Sequence, residues 1–195
     1  MSYDKKNRIN IPRLNKFSKY KKDILYYEKQ HNPQHRTNKE SWFVYGYIVG
    51  ARSDSVFELG CNVGRHLYQL DRLGLDVFGV DPVERFILEG RSKYGLGDKI
   101  VCDDHRCLRD MVSNSFDTCM TVSVLNHIHD VKGIVEQLKR VCSNNIIICE
   151  SFNKNKGKAP WYIHNYEELG FEKLRNHNSN VTSDAEYAVY VWNKQ

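Results

Sequence analysis

Residues 56–65 read VFELGCNVGR, and this stretch decides the fold. Val56 to Leu59 is a short, mostly apolar run typical of a buried strand, and it stops at Gly60. A loop containing Gly64 follows and leads into residues 65–73, where leucines recur on one helical face. A strand, a tight glycine-bearing loop and a helix indicate an open α/β sheet. In such sheets, ligands bind beyond the carboxyl ends of the strands.

The same alternation of strand and helix patterns continues outward from this stretch. Strands are predicted at 55–59, 76–80, 99–102, 115–122, 145–150, 171–175 and 185–192, and helices at 40–51, 65–73, 82–94, 130–141 and 162–169. The last two strands have no strong helical pattern between them, so we expect them to pair antiparallel at one edge. The sequence therefore predicts a Rossmann-like, doubly wound α/β fold, with a mostly parallel seven-stranded sheet and an antiparallel C-terminal edge strand.

Charge and composition divide the chain into three predicted segments. Residues 1–22 are expected to be a basic flexible arm, residues 23–52 an N-terminal helical segment and possible lid, and residues 53–195 the cofactor-binding domain. Residues 1–40 carry a net charge of +7, and the remainder carries −2. The arm could bind nucleic acid or an acidic partner, or it could be a solvated tail that aids solubility.

Composition also bounds the compartment. Hydrophobic residues make up 41% of the 195 residues, which is enough for a core, but their longest runs are too short to span a bilayer. The N-terminus shows no apolar segment of a secretory signal. The six cysteines lack a disulfide-framework spacing, so we expect reduced thiols and a cytoplasmic protein. Residues 102–107 hold two cysteines and a histidine, but no second ligand pair follows, so no metal is expected.

Two carboxylates stand at the predicted ends of adjacent strands. Glu58 precedes Gly60, and Asp81, followed by Pro82, ends the second strand about twenty residues later. A carboxylate at Asp81 can accept hydrogen bonds from a ribose diol. A pyrophosphate-binding loop would have glycine in place of Asn62 and would tolerate a nearby carboxylate poorly. The pattern therefore favours a cofactor with an ammonium and a sulfonium group, S-adenosylmethionine, over a nicotinamide nucleotide.

These motifs resemble those of the class I S-adenosylmethionine-dependent methyltransferases, in particular the small-molecule (type 11-like) subgroup. The resemblance covers roughly residues 53–192. Residues 58–64 are similar to the family's first motif and residues 79–81 to its second. Residues 102–108 resemble the adenine-side motif, and residues 116–128 resemble the fourth-strand motif with the loop after it.

The resemblance implies a set of cofactor-binding residues: Glu58, Gly60, Cys61, Asn62, Gly64, Asp81, Pro82, Asp104, His105, Thr121 and Val122. Among them, Gly60 and its neighbours would hold the methionine moiety, Asp81 the ribose hydroxyls and Asp104 the adenine amino group. Thr121 and Val122 would lie near the sulfonium. Asn62 departs from the family's usual glycine, and asparagine tolerates left-handed backbone better than most residues.

The predicted acceptor side is less specific. His127 and His129 follow the fourth strand, where a methyl acceptor would lie, and His127 is the candidate general base. A packing or capping role for His127 is the alternative, since positioning alone can supply most of the acceleration of methyl transfer. Four residues are predicted to form a further wall of the substrate site: Glu150, Trp161, Tyr162 and His164.

The favoured function is methyl transfer from S-adenosylmethionine to an O, N or C nucleophile of a small molecule. A nucleic-acid or protein methyltransferase that uses the basic arm is a second hypothesis. The N/D-P-P-Y/F signature of nucleic-acid enzymes does not occur after the fourth strand, where residues 123–126 read SVLN. A non-catalytic cofactor-binding module is a third hypothesis. A nicotinamide oxidoreductase is a fourth, and Asn62 and Glu58 disfavour it. The sequence does not indicate the oligomeric state.

Overall fold

The computed structural model describes residues 39–151, 162–178 and 186–195. The strands are β1 (Ser55–Leu59), β2 (Asp76–Asp81), β3 (Ile100–Cys102), β4 (Phe116–Val122), β5 (Cys142–Ser151), β6 (Glu172–Asn178) and β7 (Glu186–Asn193), and the α-helices are α1 (Lys39–Gly50), α2 (Arg65–Arg72), α3 (Glu84–Tyr94) and α4 (Lys132–Val141). Short 3₁₀ helices occur at Gly97–Lys99, His105–Asp110 and Leu125–His127. The predicted arm at 1–22, and residues 23–38 of the predicted lid segment, lie outside the described residues.

The strands form one seven-stranded sheet in the order β3-β2-β1-β4-β5-β7-β6. Strands β1 to β5 pair in parallel, and β7 pairs antiparallel with both β5 and β6. The predicted fold class is confirmed, with the antiparallel C-terminal strand second from the edge and β6 outside it. Strands are added outward from β1 to β3, and the next strand, β4, lies on the other side of β1. The crevice between β1 and β4 is therefore the switch point at which such sheets bind ligands.

Helices cover both faces of the sheet, which makes the fold doubly wound. On one face, α1, α2 and α3 contribute Val44, Ile48, Leu67, Leu70 and Ile87 to a core with the β-strands. On the other face, α4 and the 3₁₀ helix at His105–Asp110 cover a second core. All five residues of β1 are buried, because this strand has β2 and β4 as neighbours and helices on both faces.

One predicted boundary is shifted by a local turn. The helix expected from Pro82 begins at Glu84. The backbone N–H of Val83 donates to Oδ1 of Asp81 at 2.9 Å, so residues 81–83 form a turn closed by the aspartate side chain. Asp81 thus ends β2 and sets the entry into α3.

The helix predicted over 162–169 is wrong. Residues 162–165 are not helical, and residues 166–170 form a turn that ends at Gly170, whose φ is 83°. The backbone N–H of Tyr162 donates to the carbonyl of Asn126 at 2.8 Å, and Nε2 of His164 donates to the carbonyl of Leu125 at 3.0 Å. These tertiary hydrogen bonds hold the segment against the loop after β4 and override its helical pattern.

The described residues contain no helix with the length and apolar character needed to cross a bilayer. All six cysteines are free thiols.

Candidate active site

The loop after β1 is built for close packing at the switch point. The backbone N–H groups of Gly60 and Cys61 donate to the carbonyl of Val80 at 2.8 and 2.9 Å. Gly60 has φ 74°, and a Cβ added to it would lie 2.3 Å from Cγ2 of Val124. Only glycine fits that position without displacing the loop after β4. Asn62 has φ 54°, the left-handed conformation that asparagine accepts better than most residues.

Asp81 joins this loop to the end of β2. Its Oδ2 accepts a hydrogen bond from the backbone N–H of Asn62 at 2.8 Å, and its Oδ1 accepts one from Val83 at 2.9 Å. Burial and the nearby charge of Glu58 raise the pKa of Asp81 to about 6. Each carboxylate oxygen has a second lone pair, so Asp81 can accept further hydrogen bonds from a ligand that lies beyond the carboxyl ends of the strands.

Glu58 lies on the α1–α2 side of β1 and is almost fully buried. Its Oε1 lies 2.7 Å from Nδ1 of His66, and Nε2 of the same ring lies 3.1 Å from Oγ of Ser41. Oε2 of Glu58 has no hydrogen-bond partner among the described residues. A buried carboxylate oxygen without a partner is costly unless a donor or a cation approaches it, so Oε2 is a candidate acceptor for a ligand.

A narrow cavity lies between α1 and the sheet and shares Ser41 and His66 with this chain of hydrogen bonds. Its other lining residues are Val44, Tyr45, Met120, Val122 and Cys149. The cavity borders the ends of β4 and β5, so α1 covers the side of the switch point on which Glu58 lies.

Asp104, predicted to contact adenine, follows β3 and caps the 3₁₀ helix at His105–Asp110. Its Oδ1 accepts hydrogen bonds from the backbone N–H of Arg106 at 2.9 Å and from the side-chain Nε of Arg106 at 2.8 Å. Its Oδ2 pairs with the guanidinium of the same arginine. Burial opposes ionisation, but the hydrogen bonds from Arg106 hold the pKa of Asp104 below its usual value. Asp104 and His105 are half-buried, and a contact with adenine remains a prediction.

Glu150 lies at the end of β5, beneath the loop that follows β4. Its Oε1 accepts hydrogen bonds from the backbone N–H groups of Val124 and Leu125 at 2.8 and 2.9 Å. Burial raises the pKa of Glu150 to about 7. The sequence predicted that Glu150 lines the site of the methyl acceptor. In the structure its side chain instead holds the backbone at the start of the 3₁₀ helix at Leu125–His127.

The histidines and aromatic residues predicted for the acceptor side come together at this 3₁₀ helix. His127 is half-buried on it, and the ring of His129 packs edge-on against Tyr162 with centroids 5.0 Å apart. The rings of Tyr162 and His164 stack at 6.4 Å. Trp161 lies outside the described residues. Within those residues, no group of three or more His, Cys, Asp and Glu side chains is placed to hold a metal ion.

Comparison with known families decides what this arrangement is. Residues 57–149 match the family model described as a methyltransferase domain. Residues 57–149 therefore form a methyltransferase domain. The matched span runs from β1 through β5 and includes the glycine loop, Asp81 and the loop after β4. A methyltransferase domain of this kind implies S-adenosylmethionine as the cofactor.

Solved structures show the same fold. The magnesium protoporphyrin IX methyltransferase of Synechocystis PCC 6803 with bound S-adenosylmethionine is 17% identical, with a TM-score of 0.62 over 92% of this chain and 93% of that chain. The 1,6-didemethyltoxoflavin-N1-methyltransferase of Burkholderia thailandensis, with its substrate and S-adenosylhomocysteine bound, is 14% identical, with a TM-score of 0.67 over 89% and 86%. No curated protein matches the sequence significantly.

The residues of the methyltransferase domain fit the cofactor. Oε2 of Glu58 is a buried anionic acceptor without a partner, which suits the ammonium group of the cofactor's amino-acid end. Glu58 and Asp81 lie near the ends of the neighbouring strands β1 and β2, and after burial the charge of Glu58 also raises the pKa of Asp81. Two carboxylates at one loop favour a cationic ligand over an anionic one.

Sequence reasoning missed four buried polar residues near the site. Ser41 and His66 link α1 to Glu58, and Asn126 and Tyr166 lie near Glu150. The amide atoms of Asn126 and the hydroxyl of Tyr166 are buried without hydrogen-bond partners among the described residues. His66 stands beside Arg65 at the start of a helical pattern, and nothing in its local sequence indicates a contact 25 residues upstream. Only the packing of α1 on the sheet reveals it.

Glu150 should make the stability of the methyltransferase domain depend on pH. Its folded pKa of about 7 lies above the ordinary value of 4.5, so the folded state favours the neutral acid. The resulting stability is complete below pH 4.5 and is lost as pH rises through 7. Relative to Glu150→Gln, the wild type should lose about 2 kcal/mol of unfolding free energy between pH 5 and pH 8. Urea titrations across that range measure it, and parallel profiles for the two proteins would contradict it.

Proposed function

We propose that this protein transfers the methyl group of S-adenosylmethionine to an O, N or C nucleophile of a small molecule. The observation that carries the proposal is the unpartnered Oε2 of Glu58, buried beside the glycine loop on the strand that neighbours that of Asp81. The Synechocystis and Burkholderia enzymes act on a porphyrin and on a toxoflavin precursor, which supports a small-molecule acceptor.

In this proposal, the cofactor lies across the carboxyl ends of β1 to β4. Oε2 of Glu58 accepts hydrogen bonds from its ammonium group, and Asp81 accepts hydrogen bonds from its ribose hydroxyls. The remaining contacts are assigned to Gly60, Cys61, Asn62 and Gly64 at the methionine moiety, Pro82 beside the ribose, Asp104 and His105 at the adenine, and Thr121 and Val122 near the sulfonium.

The bound cofactor supplies an electrophilic methyl group, and the chain's own residues supply alignment. Methyl transfer requires the nucleophile, the methyl carbon and the sulfur in line, and holding them so can provide most of the acceleration. Glu150 fixes the loop after β4 through Val124 and Leu125, so the acceptor side stays in register with the cofactor side. Where the acceptor must lose a proton, His127 is the residue we propose to accept it.

Cofactor binding is the first test. Titration calorimetry should show micromolar binding of S-adenosylmethionine and S-adenosylhomocysteine and no measurable binding of NAD under the same conditions. Ligand at about a hundred times its Kd should stabilise the protein by about 2.7 kcal/mol in a melting experiment. Stabilisation by NAD alone would overturn the assignment. Transfer of labelled methyl groups into pools of small molecules then identifies the acceptor.

The cellular setting is also a proposal. The six free thiols favour a reducing compartment such as the cytoplasm. The nucleic-acid hypothesis depends on the basic arm at 1–22, which lies outside the described residues. Labelled transfer with RNA and protein as acceptors, run beside the small-molecule pools, separates that hypothesis from the proposed function.

A further inference from the structure

Three buried side chains from three elements form one line of hydrogen bonds. Ser41 on α1, His66 on α2 and Glu58 on β1 are 3%, 2% and 1% exposed. Oγ of Ser41 lies 3.1 Å from Nε2 of His66, and Nδ1 of His66 lies 2.7 Å from Oε1 of Glu58. The line starts on a helix outside the span that matches the family model and ends at the carboxylate beside the glycine loop.

The direction of each hydrogen bond follows from the carboxylate. An ionised Glu58 can only accept, so Nδ1 of His66 carries the proton. Burial lowers the pKa of His66, which favours the neutral ring. A neutral ring with its proton on Nδ1 has a lone pair on Nε2, and Ser41 then donates its hydroxyl proton to it. In this arrangement Oε2 of Glu58 remains without a hydrogen-bond partner among the described residues.

The line also ties the position of α1 to the orientation of Glu58. The ring of Tyr45, one turn after Ser41 on α1, packs edge-on against His66 with centroids 5.8 Å apart. A shift of α1 would change both the hydrogen bond and the ring contact that fix His66. Because Nδ1 of His66 is the donor that holds Oε1, the same shift would free the carboxylate of Glu58 to rotate.

We propose that Ser41 and His66 are positioning residues that direct the free oxygen of Glu58 toward the ammonium group of the cofactor, so that docking of α1 strengthens binding of the cofactor's amino-acid end. The inference rests on the proposed function. It adds α1, which precedes the methyltransferase domain match, to the machinery of cofactor recognition.

The test compares two ligands that differ in the amino-acid end. S-adenosylhomocysteine carries the ammonium group, and 5′-methylthioadenosine has the same nucleoside and sulfur without it. Calorimetry should show that His66→Leu weakens S-adenosylhomocysteine by about tenfold or more but 5′-methylthioadenosine by less than about twofold. Ser41→Ala should weaken S-adenosylhomocysteine by about threefold to fivefold, because Glu58 keeps its own donor and loses only the anchor behind it.

The matched control is His66→Asn. Its amide N–H can occupy the place of Nδ1 and donate to Glu58, while the contact with Ser41 is lost. It should therefore recover most of the affinity that His66→Leu loses and behave like Ser41→Ala. In a Glu58→Gln background, His66→Leu should no longer change the ratio of the two affinities, since the group that His66 positions has lost its charge.

Equal losses of affinity for both ligands would show a merely structural role for Ser41 and His66. The inference would be overturned if Ser41→Ala, His66→Asn and His66→Leu all bound S-adenosylhomocysteine as tightly as the wild type. If His66→Leu does not fold, the ligand ratio of Ser41→Ala decides, since a ratio equal to that of the wild type contradicts the coupling to α1. Failure of the wild type to bind either ligand would instead overturn the proposed function.

Discussion

Replacing Gly90 with alanine will destabilise the protein by about 3 kcal/mol, although Gly90 lies inside helix α3. Alanine in a helix interior is ordinarily better than glycine by about 1 kcal/mol. At this position the packing outweighs that preference. A Cβ on Gly90 would lie 2.2 Å from the carbonyl oxygen of Val63 and 2.8 Å from Cδ1 of Ile100. The first of these atoms is backbone and cannot rotate away.

The clash falls on the glycine loop, which is proposed to bind the cofactor, so Gly90→Ala should also weaken cofactor binding. Val63 follows Asn62, whose backbone N–H donates to Asp81. To admit the methyl group, α3 must move away from the loop or the loop must move toward the ligand. We therefore expect S-adenosylhomocysteine to bind at least about tenfold more weakly, a loss of about 1.4 kcal/mol.

Gly46→Ala is the matched control. Gly46 is an interior residue of α1, and a Cβ added there meets nothing within 4 Å. This variant should gain about 0.5–1 kcal/mol from helix propensity alone. Urea unfolding of the wild type and both variants gives the two free-energy changes. Two changes of the same sign would show that α3 and the loop after β1 are not packed as closely as the structure has them.

The fold could be predicted because its signals are local. Residues 55–72 contain the mostly apolar run of β1, the glycine loop and the leucine face of α2. These signals correspond to the elements observed there. The C-terminal part was harder to predict, since residues 162–169 are held by hydrogen bonds to Leu125 and Asn126, about forty residues away in sequence. A periodic pattern carries no information about such contacts.

The site divides in the same way. Glu58 and Asp81 could be singled out because acidic strand ends at that spacing have a direct use in ligand binding. Ser41 and His66 could not, because their relation to Glu58 exists only once α1 lies on the sheet. Glu150 was found by its position at the end of β5, but its role as the acceptor for Val124 and Leu125 depends on how the next loop folds back over it.

Asp81→Asn should weaken S-adenosylhomocysteine binding about a hundredfold, or about 2.7 kcal/mol. The carboxylate accepts from Asn62 on one oxygen and from Val83 on the other. An asparagine side chain has one acceptor oxygen, so its NH₂ group must face one of these two N–H donors. The variant therefore loosens either the glycine loop or the entry into α3, and it also removes the charged acceptors proposed for the ribose hydroxyls.

Asp117→Asn separates loss of binding from loss of stability. Asp117 is also a carboxylate that joins neighbouring strands, because its Oδ2 accepts from the backbone N–H groups of Asp54 and Ser55 at 3.0 Å. It lies near the start of β4, whereas the glycine loop lies at the other end of the parallel strands, after β1. Both variants should unfold at lower urea concentration than the wild type, but Asp117→Asn should bind S-adenosylhomocysteine within about twofold of it. Calorimetry at a temperature where all three proteins are folded decides the matter. Equal affinities for Asp81→Asn and the wild type would remove Asp81 from the site, and equal losses in both variants would reduce it to a structural carboxylate.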